Sequence, residues 1–202
     1  MVSGSDFSSS DPKISPNGKK LAFVCSGNIY IVPIDGGTPA KLTDARKGTT
    51  RGVAEYIAQE EMGRSSGYWW SPDSNKIAFI EVDETNIPEF VLTNLGDKIV
   101  PNEVHRYPFS GCQNACVRLG VTDLSRNILW TDTSFYEYIA RVDWTKEGSL
   151  VVQCQTREQN RLDLLKFDSD LTGSSILLSE ESDVWVNLHD MYRPLDDEEF
   201  IW

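Results

Sequence analysis

Several things are scarce in this 202-residue sequence, and each shortage excludes something. No apolar run approaches the length of a bilayer-spanning helix; stretches such as Leu21-Ala22-Phe23-Val24-Cys25 are far too short. Basic residues are outnumbered, 19 Lys+Arg against 31 Asp+Glu, a formal charge of −12. That balance argues against broad nucleic-acid binding and against an anionic membrane surface, since both need Lys and Arg to neutralise phosphates. There are four cysteines (Cys25, Cys112, Cys116, Cys154) and two histidines (His105, His189). Cys112 and Cys116 lack a second Cys or His pair at zinc spacing, so no metal site is expected and the thiols read as free, in a reducing compartment. The first ten residues have no basic region followed by an apolar one, and no Asn-x-Ser/Thr acceptor occurs. No HExxH, phosphate-binding loop or EF-hand loop is present either, and no cofactor is expected. With 40% hydrophobic residues, the composition is that of an acidic globular chain, expected to be cytoplasmic.

What the chain does have is short strands punctuated by turns. Leu21–Cys25 follows the turn signal Ser15-Pro16-Asn17-Gly18, and Ile29–Val32 lies between Gly27-Asn28 and Asp35-Gly36-Gly37, which reads as a hairpin. The phrase Ser15-Pro16-Asn17-Gly18-Lys19-Lys20-Leu21-Ala22-Phe23 returns as Ser71-Pro72-Asp73-Ser74-Asn75-Lys76-Ile77-Ala78-Phe79. Weaker copies begin at Trp144 and at Leu195, where the acidic run Asp196–Glu199 reads as a rim turn. A polar turn leading into an apolar strand, repeated with insertions, is the signature of β-propeller blades of roughly 40–50 residues. Further strands are expected at 149–155, 161–168, 174–179 and 183–188, with Trp69 and Trp70 packed between blades. One helix is expected, over 52–62, inserted in a blade, with Val53, Ile57 and Tyr56 on one face and Glu55, Gln59 and Glu60 on the other. The fold class is therefore all-β: about four blades or part-blades of a propeller with one short helix near 53–62. Residues 1–11 read as a flexible polar lead. An end in mid-strand at Phe200-Ile201-Trp202, and too few blades to close a ring, point to a piece of a larger propeller with poor solubility alone.

Three constellations could carry chemistry. Glu60 and Glu61, adjacent at the end of the helix, could converge on one ammonium group, which has donors enough for two carboxylates. For an arbitrary acidic dipeptide a solvated helix face is the commoner meaning. Gly63-Arg64-Ser65-Ser66-Gly67 matches G-x-S-x-G, but a nucleophile elbow needs a buried strand before the serine and a helix after it. Here the order is reversed, so Ser65 reads as part of a flexible loop. His189-Asp190 reads as a local hydrogen bond rather than a catalytic dyad.

Ala54-Glu55-Tyr56-Ile57-Ala58-Gln59-Glu60-Glu61-Met62, followed by Gly67-Tyr68-Trp69-Trp70-Ser71-Pro72-Asp73, resembles the N-terminal propeller of dipeptidyl peptidase IV-type serine exopeptidases, in the prolyl oligopeptidase clan. The eight-residue step from Glu61 to Trp69, Val82-Asp83-Glu84, Trp185-Val186-Asn187-Leu188-His189-Asp190 and the terminal Phe200-Ile201-Trp202 are most similar to the cytosolic branch of dipeptidyl peptidases 8 and 9 and its bacterial and plant relatives. The resemblance implies an eight-bladed propeller stacked on an α/β-hydrolase domain that supplies a Ser/Asp/His triad. It also implies that Glu60 and Glu61 hold the free α-amine of a peptide, so that Xaa-Pro or Xaa-Ala dipeptides are released. The family's arginine for the substrate carbonyl is expected upstream of this sequence, and the catalytic domain downstream, so residues 12–202 alone should be inactive. Implied partners are a peptide N-terminus, the hydrolase domain of the parent and a second copy of that parent in a homodimer. Nucleic acid and membrane are not expected. The alternative is a stand-alone, non-catalytic propeller module that binds or scaffolds.

Overall fold

The computed structural model describes residues 9–93, 102–195 and 199–202. Three blade-like sheets follow one another along the chain, of four, five and four strands. The first is β1 (Ser9–Ile14), β2 (Lys20–Cys25), β3 (Asn28–Pro33) and β4 (Ala40–Lys41), antiparallel in sequence order. The second contains β5 (Thr49–Arg51), β6 (Tyr68–Trp70) and β7 (Lys76–Asp83). A separate hairpin, β8 (Glu89–Leu92) with β9 (Glu103–Arg106), follows, and then β10 (Cys116–Asp123) and β11 (Ile128–Trp130) complete the sheet in the order β5/β6-β7-β10-β11. The third is β12 (Tyr138–Trp144), β13 (Leu150–Gln155), β14 (Arg161–Phe167) and β15 (Ser174–Glu181). A short pair, β16 (Arg193–Pro194) and β17 (Phe200–Ile201), opens a fourth. The one helix among the described residues, α1, covers only Tyr56–Glu60.

The repeated phrase has an atomic counterpart. The Ser15 hydroxyl donates to Asn17 Oδ1 (2.9 Å) and accepts from the Lys20 amide (2.9 Å); Ser71 does the same with Asp73 (2.6 Å) and Lys76 (2.9 Å). In the weaker third copy Thr145 substitutes, its Oγ1 accepting from the Ser149 amide at 3.2 Å. Each turn passes through a left-handed position, Gly18, Ser74 and Gly148. Such positions favour glycine, and Ser74 offsets the strain by taking the Asn17 amide onto its hydroxyl, so that turns of neighbouring sheets touch. The turn of the fourth copy, 196–198, lies outside the described residues, as does 1–8; strand β1 starts within the segment read as a polar lead.

Inner strands β1, β6 and β12 are stapled side by side by indole N–H groups. Trp70 Nε1 donates to Lys13 O (3.1 Å) and Trp144 Nε1 to Trp69 O (3.3 Å). Trp70 packs with Ala22, Val24, Ile29 and Leu42 of the first sheet, whereas Trp69 packs against the core shared with Ile139 and Val142 of the third. Adjacent tryptophans on a strand point to opposite faces, so one dipeptide fills two interfaces between sheets.

Two expectations need correction. Residues 183–188 form no strand: β15 ends at Glu181, and the segment crosses the sheet end, Val186 N donating to Gln159 O and Val186 O accepting from Gln155 Nε2. Val184 and Trp185 are exposed, because Val186 is tied back to Gln155 and Gln159 instead of running on beside β15. The helix is shorter than the 52–62 expected, because Gly52 and Val53 are drawn into backbone pairing at its base.

The third sheet contains a fully buried carboxylate. Asp163 accepts from Tyr136 Oη (2.5 Å), Arg161 Nε (2.9 Å) and Ser179 Oγ. Burial would push its pKa up, but the hydrogen bonds and the guanidinium outweigh it and hold the carboxyl below its usual range. A carboxyl that titrates lower when folded stabilises fully above its unfolded pKa of about 3.9 and loses that contribution as pH falls through the folded value. Asp163→Asn should therefore lower stability at neutral pH and flatten the acid limb of a urea-midpoint against pH curve. An unchanged acid limb would exclude this carboxylate as a contributor.

Candidate functional site

The helix owes its position to a break in an inner strand. Both β5 and β6 pair with β7, β5 at Glu81–Asp83 and β6 at Ile77–Phe79. Between them Ile80 bridges the gap, its carbonyl accepting from Gly52 N (2.9 Å) and its amide donating to Gly67 O (2.8 Å). Everything from 53 to 66 is thus extruded sideways from the inner edge, opposite β10, with Val53 and Ser66 bridged at the base. The neck is tight. A Cβ on Gly67 would lie 2.4–2.5 Å from backbone atoms of Gly52 and Val53, and Gly52 is left-handed.

Inside the extruded segment the acidic residues divide into two kinds. Glu55, the residue before α1, is buried and accepts both Nη2 bonds of Arg64, at 2.8 and 2.9 Å. Arg64 is buried too and gives its other donors to Ser66 O (2.9 Å) and Ile139 O (3.1 Å). Glu55 had been expected on the polar helix face with Gln59 and Glu60; a bidentate partner is what lets a carboxylate leave water. Gln59 caps backwards onto Ala54 O (2.7 Å). Glu60 and Glu61 are both exposed, and neither forms an ion pair among the described residues. They stand at the C-terminal end of α1, where no basic side chain lies in the last turn. That end of a helix disfavours negative charge, so nothing in the fold explains two carboxylates there.

The surroundings of the helix are apolar and aromatic. Ile57 and Met62 pack with Tyr138, Ala140 and Leu188, bringing the segment after β15 beside the helix. On the other side Tyr56 meets Tyr107 edge-on at 5.3 Å, and Tyr107 continues into Phe109 and Phe90 of the β8–β9 hairpin region. The Tyr56 phenol is pushed above its ordinary range by desolvation, then by Tyr107 and by the charges of Glu60 and Glu61. A cavity between helix and hairpin has Glu55, Tyr56, Ile57, Arg106 and Tyr138 among its walls; Glu60 and Glu61 lie outside it.

The remaining candidates are dispersed. Ser65 is exposed on the loop after the helix, with no strand before it. His189 meets Trp202 edge-on at 4.3 Å and accepts from the Met191 amide, while Asp190 turns away to Arg141. All four cysteines are free, Cys25 and Cys154 buried. Among the described residues no group of three or more His, Cys, Asp or Glu could hold a metal, and no helix is long and apolar enough to cross a membrane. Sequence reasoning missed the Glu55–Arg64 pair and Arg141. The available signal was an arginine nine residues after a glutamate across a chain reversal, which no helical spacing rule reads.

Comparison with known proteins is consistent across sequence and structure. Residues 4–202 match the family described as the dipeptidyl peptidase IV (DPP IV) N-terminal region. The chain is 31% identical over 182 residues to a Schizosaccharomyces pombe protein named as a dipeptidyl aminopeptidase, covering 82% of this chain and 23% of that one. It is 28% identical to human dipeptidyl peptidase 8 (91% and 26% covered) and 27% to rat inactive dipeptidyl peptidase 10 (84% and 23%). The crystal structure of Porphyromonas gingivalis dipeptidyl peptidase 4 superimposes with a TM-score of 0.80 at 26% identity, covering 88% of this chain and 26% of that chain. The chain thus spans about a quarter of the length of these relatives.

The neck makes a direct prediction. Gly67→Ala should destabilise the protein by about 1–3 kcal/mol, the usual cost of forcing atoms into a packed site, read as a lowered urea midpoint. Gly63→Asn, on the same loop with open space around its Cβ position, is the control and should change little. Equal midpoints for the two variants would show that the neck is not tight.

Proposed function

Since the chain belongs to the dipeptidyl peptidase IV family, as its N-terminal propeller region, we propose that it is the substrate-anchoring part of a serine-type dipeptidyl peptidase, with Glu60 and Glu61 binding the free α-amine of a peptide. The observation that carries this is the pair itself: two adjacent, exposed carboxylates without a counter-ion among the described residues, at the end of a helix extruded from the inner edge of a blade. A protonated amine supplies the missing charge. It offers three donors, enough for both carboxylates, and charge-assisted bonds of this kind fix distance as well as charge. Anchoring one end of the peptide sets how many residues reach the scissile bond, so release of Xaa-Pro or Xaa-Ala dipeptides becomes a matter of positioning. Bond cleavage belongs to the triad of an α/β-hydrolase domain in a longer parent; this chain alone has no peptidase activity. Four free cysteines fit a reducing, cytoplasmic setting.

One observation favours a second reading. A relative named as inactive matches most of the chain, which favours a stand-alone, non-catalytic binding or scaffold module as that reading. The experiment is substitution in the hydrolase-bearing parent. Glu60→Ala or Glu61→Ala should each lower kcat/KM on a dipeptidyl substrate by roughly 10–100-fold, the loss of a hydrogen bond to a charged group. In the wild type, kcat/KM should fall as pH rises past about 8, where the α-amine loses its proton. Undiminished activity in both variants would remove the assignment.

A further inference from the structure

A five-residue helix does not hold itself in place, because a single turn is unstable without tertiary contacts. Its position must come from outside, and two arginines supply it. Arg64 closes the extruded segment on itself through Glu55 and fastens it to the third sheet through Ile139 O. Arg141, on β12 of that sheet, donates from Nη1 to Met62 O (2.8 Å), one residue beyond Glu61. Its Nε reaches Asp190, on the segment whose Leu188 packs against Met62. The chain is therefore tied to β12 at both 62 and 64, immediately after the two free carboxylates. Neither guanidinium forms an ion pair with Glu60 or Glu61; Arg64 pairs with Glu55 and Arg141 with Asp190, and each also holds backbone of the segment.

We infer that Arg64 and Arg141 are positioning residues of the amine site: they fix the helix that bears Glu60 and Glu61 against β12 of the neighbouring sheet, so that the reach of the anchor is set by the packing of two blades. This rests on the amine-anchor reading above. The roles differ in kind. Arg64 is buried and sets the internal shape of the segment, whereas Arg141 is only partly buried and sets its tilt relative to the third sheet and the Leu188–Asp190 segment. A lysine cannot replace either, since one ammonium cannot present the fork of donors that each guanidinium uses.

The test uses the hydrolase-bearing parent with two substrates: a dipeptidyl anilide with a free amine, and a short acyl ester that offers no ammonium. Arg141→Leu and Arg64→Lys should each lower kcat/KM on the anilide by about tenfold, as for one lost charge-assisted bond, and leave ester hydrolysis unchanged. In a Glu60→Ala/Glu61→Ala background the same substitutions should cost less than about twofold more, because residues that act through one another are not additive. If Arg64→Lys does not fold, Arg141→Leu carries the test. Equal losses on anilide and ester, or a full extra loss in the glutamate-free background, would overturn the inference and leave both arginines as ordinary structural residues. Anilide activity unaffected by Arg141→Leu while Glu60→Ala abolishes it would also overturn it, with the amine anchor intact. Loss of neither activity on removing the glutamates would sink the anchor reading itself and this inference with it.

Discussion

The local geometry depends on one constraint: an inner strand that cannot run straight through. Ile80 pairs upward with Gly67 and downward with Gly52, so the residues between those two glycines have no place in the sheet. They must leave by the free edge, because β10 occupies the other side of β7. From that follow the closeness of the neck, which only glycine at 67 permits, and the exit of α1 on the edge where β1, β6 and β12 lie side by side. A helix displayed there is held against β12 by the packing of Ile57 and Met62 on Tyr138 and Ala140, whatever its own weak propensity.

The second element is a division of charge. The sequence carries a large acidic excess, yet the fold does not treat its carboxylates alike. Glu55, Glu81 and Asp163 are buried, and each is matched by guanidinium or hydroxyl donors. Glu81 lies between Arg51 and Arg118, whose guanidinium also sits 3.8 Å from the Trp130 ring centroid. Breaking such pairs costs several kcal/mol because one charge is left dry, so they behave as rigid joints. Glu60 and Glu61 have the opposite treatment: exposure, no counter-ion among the described residues and the unfavourable end of a helix. Local inconsistency inside an otherwise consistent structure is what the proposed amine site would produce.

The sequence was legible wherever a local rule governed the outcome. The Ser-Pro-x-x turns could be read because a hydroxyl two residues ahead of an Asx side chain folds the turn by itself, and the weak copy at Thr145 works by the same bond. The Trp69-Trp70 placement followed from strand alternation. Reading failed where a partner decided. Residues 183–188 look like a strand but are tied to Gln155 and Gln159 across the sheet end, while the β8–β9 hairpin and β10 were not anticipated at all, since their pairing depends on contacts across a long connection. The glutamate pair was visible, but its meaning came from the resemblance and not from the acidic dipeptide.

The arginines show the limit most sharply. Arg141 lies 79 residues from the Met62 carbonyl it holds, and nothing in either neighbourhood announces the other. Positioning of this kind is set by how two blades pack. If Glu60 and Glu61 anchor an amine as proposed, the reach of that anchor is a property of the interface between sheets, carried by the register of β12 and the staple from Trp144 to Trp69, rather than of the helix that carries the charges. It follows that the helix sequence can stay intact while the anchor moves, if β12 shifts. On the proposed reading, a change in blade packing far from Glu60 and Glu61 would then alter where a peptide's amine is held without touching either carboxylate.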